Sequence, residues 1–250
     1  MVDRNEAFPS IDIFQGSSAA DYIRYCSKPS PPWEYLEKPM WMAILSEKFD
    51  ISNAAIFDVG SGAGKLINLL VEAGANPENM LALEPNSELA DYLRQERNIL
   101  CIKDSSHNLN SWVLQHQEWD LVTANMVVNH LTTPDYDNFV KYVKGMLMLD
   151  GIFIYTTPFP EEKAKKYNFD ISDNSVIVEE DAPWGGKVKY HHRSEDYQVQ
   201  VLQENGFKVE RYFWGYESFI DEKIIRSGEI MTGKNLRGPK RLMFLARKII

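Results

Sequence analysis

The sequence predicts an α/β fold, with a Rossmann-like, mostly parallel seven-stranded sheet, helices on both faces and a helical and loop cap. The first reason is that short apolar runs alternate with helix-length segments from residue 54 onward, as in βαβ units. The second is a glycine-rich turn between the first apolar run and the helix after it. The length of 250 residues suits one large domain, because single cores stop growing at about 250–300 residues.

The predicted elements follow one another in a simple order. Five strands are predicted at Ala54–Val59, Met80–Glu84, Ile99–Ile102, Trp119–Ala124 and Ile152–Thr156. Helices are predicted at Lys65–Ala73 before Gly74, at Ser87–Arg97 after an Asn86 cap, and at Asp135–Leu149. The last elements are a helix at Glu195–Asn205 and strands at Phe207–Phe213 and Arg241–Ala246.

The first part of the chain differs from this alternating pattern. Residues 1–49 are expected to form an N-terminal helical cap on a Rossmann-like domain of residues 50–250. Within the cap, the turn-rich segment 28–32 separates two aromatic-rich helical candidates, residues 18–27 and 33–49.

Two connections are longer than an alternating sheet requires, since such links usually run to a few residues. They are residues 158–193 and 214–239, and both are rich in aromatic and charged side chains. Long connections on a rigid α/β scaffold commonly carry binding function. We therefore expect lid insertions near 158–193 and 214–239.

Composition excludes several classes of protein. The chain has 36 acidic and 27 basic residues and a net charge of -9, which disfavours a protein that mainly grips a phosphate backbone. Cys26 and Cys101 lie far apart without CxxC spacing, so neither a disulfide framework nor a zinc site is expected. We find neither a signal-peptide pattern nor a membrane-spanning apolar run, and we expect a cytoplasmic protein without a bound metal.

The glycine-rich turn reads Asp-Val-Gly-Ser-Gly-Ala-Gly-Lys over residues 58–65. It is not a Walker A loop, because Val59 and Leu66 stand where that motif needs glycine and serine or threonine. It also departs from the dinucleotide fingerprint, because Lys65 stands where the third glycine belongs. Glycines before a helix still allow close approach of a polar ligand to backbone N–H groups.

The spacing Asp58-x-Gly60-x-Gly62-x-Gly64 resembles the first motif of class I S-adenosylmethionine-dependent methyltransferases. Glu84 ends the second predicted strand, where a carboxylate accepts hydrogen bonds from ribose hydroxyls. The alternative is an ordinary tight strand–helix turn with a surface glutamate.

The resemblance continues downstream over about residues 50–213. Residues 119–125 resemble the family's fourth-strand motif and residues 128–131 the segment after it, while Leu149-Asp150-Gly151 lacks the proline and second glycine of the family pattern. Residues 190–197, with Asn205-Gly206-Phe207, resemble small-molecule methyltransferases of the ubiquinone/menaquinone-biosynthesis type.

This resemblance implies that the chain binds S-adenosylmethionine and its product S-adenosylhomocysteine. The first motif would line the part of the site that holds the methionine moiety of the cofactor, and Glu84 would bind the ribose hydroxyls. Residues after the third strand would border the adenine, and residues after the fourth strand would face the cofactor. The implied residues are Asp58, Gly60, Ser61, Gly62, Gly64, Glu84, Pro85, Asn86, Asp104, Ser105, Asn125 and Met126. Each of them is also compatible with an ordinary polar loop position.

Methyl transfer mainly needs donor and acceptor aligned, and a base with a suitable pKa assists an acceptor that loses a proton. Three histidines are candidates for the base, namely His130, His191 and His192. A packed or capped histidine remains the alternative for each. His107 and His116 are expected to be solvent-exposed or packing residues.

The resemblance implies a metal-independent enzyme that methylates an O or N atom of a small-molecule metabolite, acting as a monomer or homodimer and without a membrane. Aromatic residues would wall the acceptor pocket or form the core of a helical cap: Phe14, Tyr22, Tyr25, Trp33, Trp41, Trp184 and Tyr190. Two other interpretations stay open. One is a non-catalytic S-adenosylmethionine-binding partner protein. The other is a methyltransferase for protein or RNA, favoured by basic residues near the end of the chain.

Overall fold

A computed structural model describes residues 18–103, 119–215 and 240–249 of the chain. The predictions made for Phe14, Asp104, Ser105, His107 and His116, and for residues 1–17 and 216–239, lie outside these described residues. Within the described residues, none of the helices combines the length and apolar character needed to cross a membrane.

The helices alternate with strands along most of the chain. They are α1 (Ala19–Cys26), α2 (Lys38–Lys48), α3 (Lys65–Glu72), α4 (Ser87–Arg97), α5 (Thr133–Met146), α6 (Pro160–Tyr167) and α7 (Glu195–Glu204). A π-helical turn, Trp33–Glu37, leads directly into α2, and short 3-10 turns occur at Pro77–Asn79 and Val128–His130. The Asn86 side chain accepts hydrogen bonds from the N–H groups of Glu88 and Leu89, so the expected cap of α4 is present.

Nine strands lie in the described residues. They are β1 (Ile56–Val59), β2 (Met80–Leu83), β3 (Leu100–Ile102), β4 (Trp119–Asn125), β5 (Leu147–Pro158), β6 (Ile177–Asp181), β7 (Lys187–His191), β8 (Phe207–Trp214) and β9 (Arg241–Lys248). Seven of them form one sheet in the order β3-β2-β1-β4-β5-β9-β8. Strands β1 to β5 pair in parallel, and β9 and β8 are antiparallel additions at one edge, so the predicted fold class is confirmed.

The order of these strands positions the site. The chain moves outward from β1 through β2 to β3, then returns to the other side of β1 at β4. In open α/β sheets, ligands bind outside the carboxyl ends of strands where the winding direction changes. The loops after β1 and β4 meet at this point.

Each face of the sheet carries its own apolar layer, because alternate strand residues point to opposite faces. In β5, Ile152 and Ile154 belong to one buried cluster, and Phe153 and Tyr155 belong to the other. Helix α2 packs in the first of these layers, where Trp41 is fully buried. The first turn of α1 belongs instead to a small separate cluster.

Several predicted boundaries differ from the structure by one or two residues, and two are displaced further. The helix expected at Asp135–Leu149 ends at Met146, and β5 begins at Leu147 rather than at Ile152. Leu147 is fully buried and pairs with Trp119 of β4, so sheet pairing prevails over the helical spacing of apolar residues. The connection at 158–193 also contains helix α6 and the antiparallel pair β6–β7.

Candidate functional site

A cavity of about 450 Å³ opens at the carboxyl ends of β1, β2 and β4. Nine residues expected to bind the cofactor line it: Asp58, Gly60, Ser61, Gly62, Glu84, Pro85, Asn86, Asn125 and Met126. Five of the seven aromatic residues expected to wall the acceptor pocket line it as well: Tyr22, Tyr25, Trp33, Trp184 and Tyr190. Trp41 is instead fully buried in the core, and Phe14 lies outside the described residues. The structure therefore brings the two predicted groups of residues to one space.

The loop after β1 depends on three glycines with left-handed backbone. Gly60, Gly62 and Gly64 have φ angles of 66°, 55° and 79°. A Cβ at Gly60 would lie 2.5 Å from Val127 Cγ2, and a Cβ at Gly62 would lie 2.9 Å from the Tyr22 hydroxyl. Gly64 is the N-cap of α3 and does not line the cavity, and a Cβ there would lie 2.8 Å from Leu93 Cδ2.

The carboxylate of Glu84 ties this loop to the loop after β2. The Gly62 N–H donates to Oε2 at 2.8 Å, and the Asn86 N–H donates to Oε1 at 2.9 Å. Each carboxylate oxygen has a further lone pair for a ligand hydroxyl. Burial raises the pKa of Glu84 to about 7, although both backbone hydrogen bonds favour its charged form.

Asp58 is also buried, at the end of β1. Its side chain accepts a hydrogen bond of 2.7 Å from Thr123 of β4, and its backbone carbonyl accepts one of 2.9 Å from the Ser61 hydroxyl. Burial raises the pKa of Asp58 to about 6. These contacts join the glycine loop to the end of β1, and the end of β1 to the neighbouring strand β4.

The loop after β4 is held by a network beneath the cavity. Asn125 Oδ1 accepts from the Trp41 indole at 2.9 Å and from the Thr156 hydroxyl at 2.7 Å. Met126 has a φ angle of 59° and donates its N–H to Thr156 at 3.0 Å. A non-glycine residue in this conformation persists only when its surroundings fix it, which is common at binding sites.

An ion pair completes this network. Glu37 Oε1 lies 3.0 Å from Arg241 Nε and 2.9 Å from its Nη2, while Glu37 Oε2 accepts from Asn125 Nδ2 at 3.3 Å. Glu37 is 8% exposed, and both charged residues line the cavity. The pair joins the segment before α2 to the first residue of β9.

The outer wall of the cavity is aromatic. The Trp184 ring packs edge-on against Tyr22 at 4.9 Å between centroids and lies 5.7 Å from Tyr25. The ammonium of Lys65 lies 5.2 Å from the centre of the Tyr25 ring and 5.6 Å from that of Trp33. Helix α1 and the turn between β6 and β7 therefore close over the start of α3.

His130 is the only one of the three candidate histidines found in the lining of this cavity in the described residues. Its Nδ1 lies 3.1 Å from the Lys189 carbonyl, which requires the proton on Nδ1 and leaves Nε2 as an acceptor. The side-chain amide of Asn129 donates to this Nε2 at 3.3 Å. Burial lowers the pKa of His130 to about 4. Its ring stacks on Tyr190 at 5.2 Å, and Arg193 bonds the carbonyls of Val128 and Leu131 on either side of it.

His191 and His192 are not brought into the main cavity. They line a small separate space that also adjoins Tyr190. His192 is buried, its Nε2 lies 2.8 Å from the Ile171 carbonyl, and its ring packs on Phe169. These contacts are those of a packed histidine.

Several residues that line the cavity were not predicted from the sequence. Glu37 and Arg241 gave no local signal, because their pairing is visible only after folding. Lys65 had a signal, since it directly follows the glycine loop. No cluster of three or more histidine, cysteine, aspartate or glutamate side chains suited to a metal ion occurs in residues 18–103, 119–215 and 240–249.

Comparison with known proteins identifies the domain. Residues 56–151 match the family model described as a methyltransferase domain. No curated protein matches the sequence significantly.

Similar solved structures share the fold. A structure described as a DhpI-SAM-HEP complex is 15% identical, with a TM-score of 0.61 over 92% of this chain and 93% of that chain. A SAM-dependent methyltransferase from Methanosarcina mazei is 15% identical, with a TM-score of 0.60 over 83% and 97%. Magnesium protoporphyrin IX methyltransferase from Synechocystis, with bound SAM, is 12% identical, with a TM-score of 0.52 over 85% and 78%.

The matched segment contains the glycine loop, Glu84 and the loop after β4, which together form one side of the cavity. The glycine backbone leaves room that a Cβ would fill, and Glu84 keeps acceptor capacity, so these residues fit a ligand with a ribose. Residues 56–151 therefore carry a methyltransferase domain, and together with the class I fold this supports a methyltransferase that uses S-adenosylmethionine as its methyl donor.

Proposed function

We propose that this chain transfers a methyl group from S-adenosylmethionine to an O or N atom of a small-molecule metabolite. The observation that carries the proposal is one cavity with the glycine loop and Glu84 on one side and aromatic rings and His130 on the other. The donor supplies an electrophilic methyl group, and the protein has to align the acceptor with it and exclude water. We extend the proposal to a cytoplasmic monomer or homodimer of the ubiquinone/menaquinone-biosynthesis type.

The residues have separate roles in this proposal. Gly60, Ser61, Gly62 and Gly64 form the cradle for the methionine part, and Glu84 binds the ribose hydroxyls. Pro85 and Asn86 lie beside the ring, Asn125 and Met126 face the donor from β4, and Asp58 holds the loop. The acceptor contacts Tyr22, Tyr25, Trp33, Trp184 and Tyr190, and His130 accepts its proton.

A small acceptor is supported by the shape of the site. The cavity is walled by α1 and by the turn that carries Trp184, and its volume of about 450 Å³ lies in the range of small-molecule sites. Two similar structures point the same way: one holds SAM together with HEP, and the other is named for magnesium protoporphyrin IX. Aromatic walls with a few polar groups are typical of small-molecule sites.

A labelled-methyl assay tests the proposal. Purified protein is incubated with methyl-labelled S-adenosylmethionine and, separately, with a metabolite extract, total protein and total RNA. We expect label to appear in a small molecule. Label in protein or RNA alone would overturn the small-molecule assignment, and donor binding without transfer to any pool would favour a non-catalytic partner protein.

Glu84 gives the proposal a pH signature. Because the pKa of Glu84 is about 7 in the free protein, only about a tenth of the molecules carry the charged form at pH 6. Ribose hydroxyls donate to the charged form, so S-adenosylhomocysteine should bind about tenfold more weakly at pH 6 than at pH 8. Glu84→Gln should lower affinity at pH 8 by about 1–3 kcal/mol and remove the Glu84 part of this pH dependence.

Isothermal titration at both pH values measures this effect. Glu88→Gln is the matched control, because Glu88 lies in the same loop-to-helix segment with an exposed side chain. An unchanged pH dependence in Glu84→Gln would show that another group is responsible.

We further propose that α1 and the turn between β6 and β7 form a mobile cover, whereas α2 is a fixed part of the domain. Trp41 of α2 lies in the main core, but Ala19 and Tyr22 of α1 belong to a small cluster with Leu89 and Trp184. Elements with few core contacts open more easily. Amide exchange in α1 should be faster than in α2 in the free protein and should slow when S-adenosylhomocysteine binds.

Hydrogen exchange measured on the free and ligand-bound protein tests the cover. Strand β1 is the internal reference, because every residue of it is buried. Protection of α1 equal to that of β1 without ligand would show that α1 is fixed.

A further inference from the structure

The carboxylate of Glu37 is a polar group of the cavity that the proposed roles do not use. Glu37 ends the π-helical turn before α2 and is mostly buried, and it lines the cavity. Turns of π-helix are rare and occur frequently at functional sites. Desolvation offsets much of the attraction within a buried ion pair, so stability alone gives little reason for the pair that Glu37 forms with Arg241.

Glu37 keeps hydrogen-bonding capacity for a ligand. Arg241 contacts Oε1 twice, through its Nε at 3.0 Å and its Nη2 at 2.9 Å. In the part of the chain that the structure describes, Oε2 receives a single long hydrogen bond, from the Asn125 amide at 3.3 Å. A carboxylate oxygen has two lone pairs, so Oε2 can accept from one more donor. Because Asn125 is one of the residues proposed to face the methyl donor, Glu37 lies beside the proposed reaction site.

The hydroxyl of Tyr190 is a second polar group with spare capacity. It makes no hydrogen bond with any residue that the structure describes, and it is not one of the unpaired atoms that are closed to solvent. The hydroxyl is therefore accessible, although the ring is packed against His130 and against the ammonium of Lys163, which lies 4.9 Å from the ring centre. A phenolic hydroxyl can both donate and accept.

Tyr190 and the pair of Glu37 and Arg241 share one region of the cavity that all three residues line. Burial raises the pKa of Tyr190 to about 12, and the charges of Arg241 and Glu37 act on this pKa in opposite directions. Burial and, to a smaller extent, the charge of Glu37 also raise the pKa of Tyr25. Solvent screens charges that are far apart, so these effects indicate that the Glu37 carboxylate lies close to the aromatic side of the cavity.

We propose that Glu37 and Tyr190 form an acceptor subsite that selects a small molecule with an O–H or N–H group. A carboxylate oxygen only accepts, so its ligand has to donate, and the Tyr190 hydroxyl adjusts to the same group. Arg241 acts through Glu37 and is a positioning residue. The inference rests on the proposed function and narrows it, because an alcohol or an amine suits this subsite and a carboxylate or a phosphate does not.

Three benzyl compounds serve as probes, because they suit an aromatic wall and differ in one group. Benzyl alcohol and benzylamine carry a hydrogen-bond donor, and benzyl methyl ether does not. Each compound is titrated into the free protein and into the protein saturated with S-adenosylhomocysteine, and binding is followed by ligand-observed NMR. The better donor-bearing compound should bind about tenfold more tightly than the ether, as expected for one hydrogen bond to a charged group. Its identity shows whether a hydroxyl or an amino group fills the subsite.

Two variants assign this preference to the subsite. Tyr190→Phe keeps the ring against His130 and removes the hydroxyl, and Glu37→Gln keeps the size of the side chain and removes its charge. Each variant should reduce the preference for the donor-bearing compound several-fold. Melting temperatures show whether Glu37→Gln is folded without its ion pair, and Tyr190→Phe tests the subsite independently of that pair.

Glu34→Gln in the same π-helical turn and Tyr212→Phe in β8 are the matched controls, because neither residue lines the cavity. Both should leave the preference unchanged. Equal binding of the ether and the donor-bearing compounds, or a preference that Tyr190→Phe or folded Glu37→Gln leaves intact, overturns the inference. A preference that depends on both residues, in a protein that binds no S-adenosylhomocysteine and transfers no methyl group, would contradict the proposed function and leave the subsite standing.

Discussion

Gly62→Val is expected to reduce donor binding below detection at millimolar ligand. Gly62 has a φ of 55°, and a Cβ there would lie 2.9 Å from the Tyr22 hydroxyl. A β-branched side chain in this conformation is strained. Relief of the strain would also displace the Gly62 N–H from Glu84, so the same change disturbs the cradle and the ribose-binding carboxylate.

Gly74→Val is the matched control for this change. Gly74 also has a positive φ, of 107°, but a Cβ at this position meets nothing within 4 Å. Backbone strain should therefore lower the melting temperature of Gly74→Val and leave its affinity for S-adenosylhomocysteine intact. Titration calorimetry with S-adenosylhomocysteine and the melting temperatures of both variants test this expectation. Normal ligand binding by folded Gly62→Val would contradict the role of the loop.

The features that the sequence predicted well have local causes. The glycine loop is one example, because three positive φ angles at fixed spacing require glycine wherever the loop occurs. The Asn86 cap is another, since its hydrogen bonds reach only two and three residues ahead. The parallel order of strands also follows from alternation of strands and helices along the chain.

The features that the sequence did not predict depend on distant partners. The Glu37–Arg241 pair joins residues 204 positions apart, and neither residue stands in a motif. The end of α5 was misplaced because Leu147 is taken into β5 by pairing with Trp119. The β6–β7 pair has an alternating pattern, but its exposed positions carry many charges, which made it resemble a loop.

The histidines show the limit of reasoning from position in the sequence. His130, His191 and His192 all follow or precede elements that open toward the predicted site. The three-dimensional arrangement separates them, because Tyr190 lies between the main cavity and the small space lined by His191 and His192. The sequence does not show which of these imidazole rings faces the main cavity, because that depends on how the chain folds around Tyr190.

His130→Ala should lower turnover about 10²–10⁴-fold while leaving S-adenosylhomocysteine affinity nearly unchanged. The reason is that His130 lines the cavity as a neutral ring with its Nε2 as an acceptor. The acceptor found in the labelled-methyl assay serves as substrate, and His191→Ala is the control. Comparable losses in both variants would contradict a specific role for His130.

The pH profile distinguishes a base from a packing residue. The His130 pKa of about 4 lies below the ordinary value because burial disfavours the charged ring, so the neutral form dominates above pH 5. With donor and acceptor at saturating concentration at every pH, turnover limited by this group should be constant from pH 5 upward and fall as the ring is protonated near pH 4. Loss of donor affinity and of melting temperature in His130→Ala, in proportion to the loss of turnover, would instead identify a histidine that only packs against Tyr190.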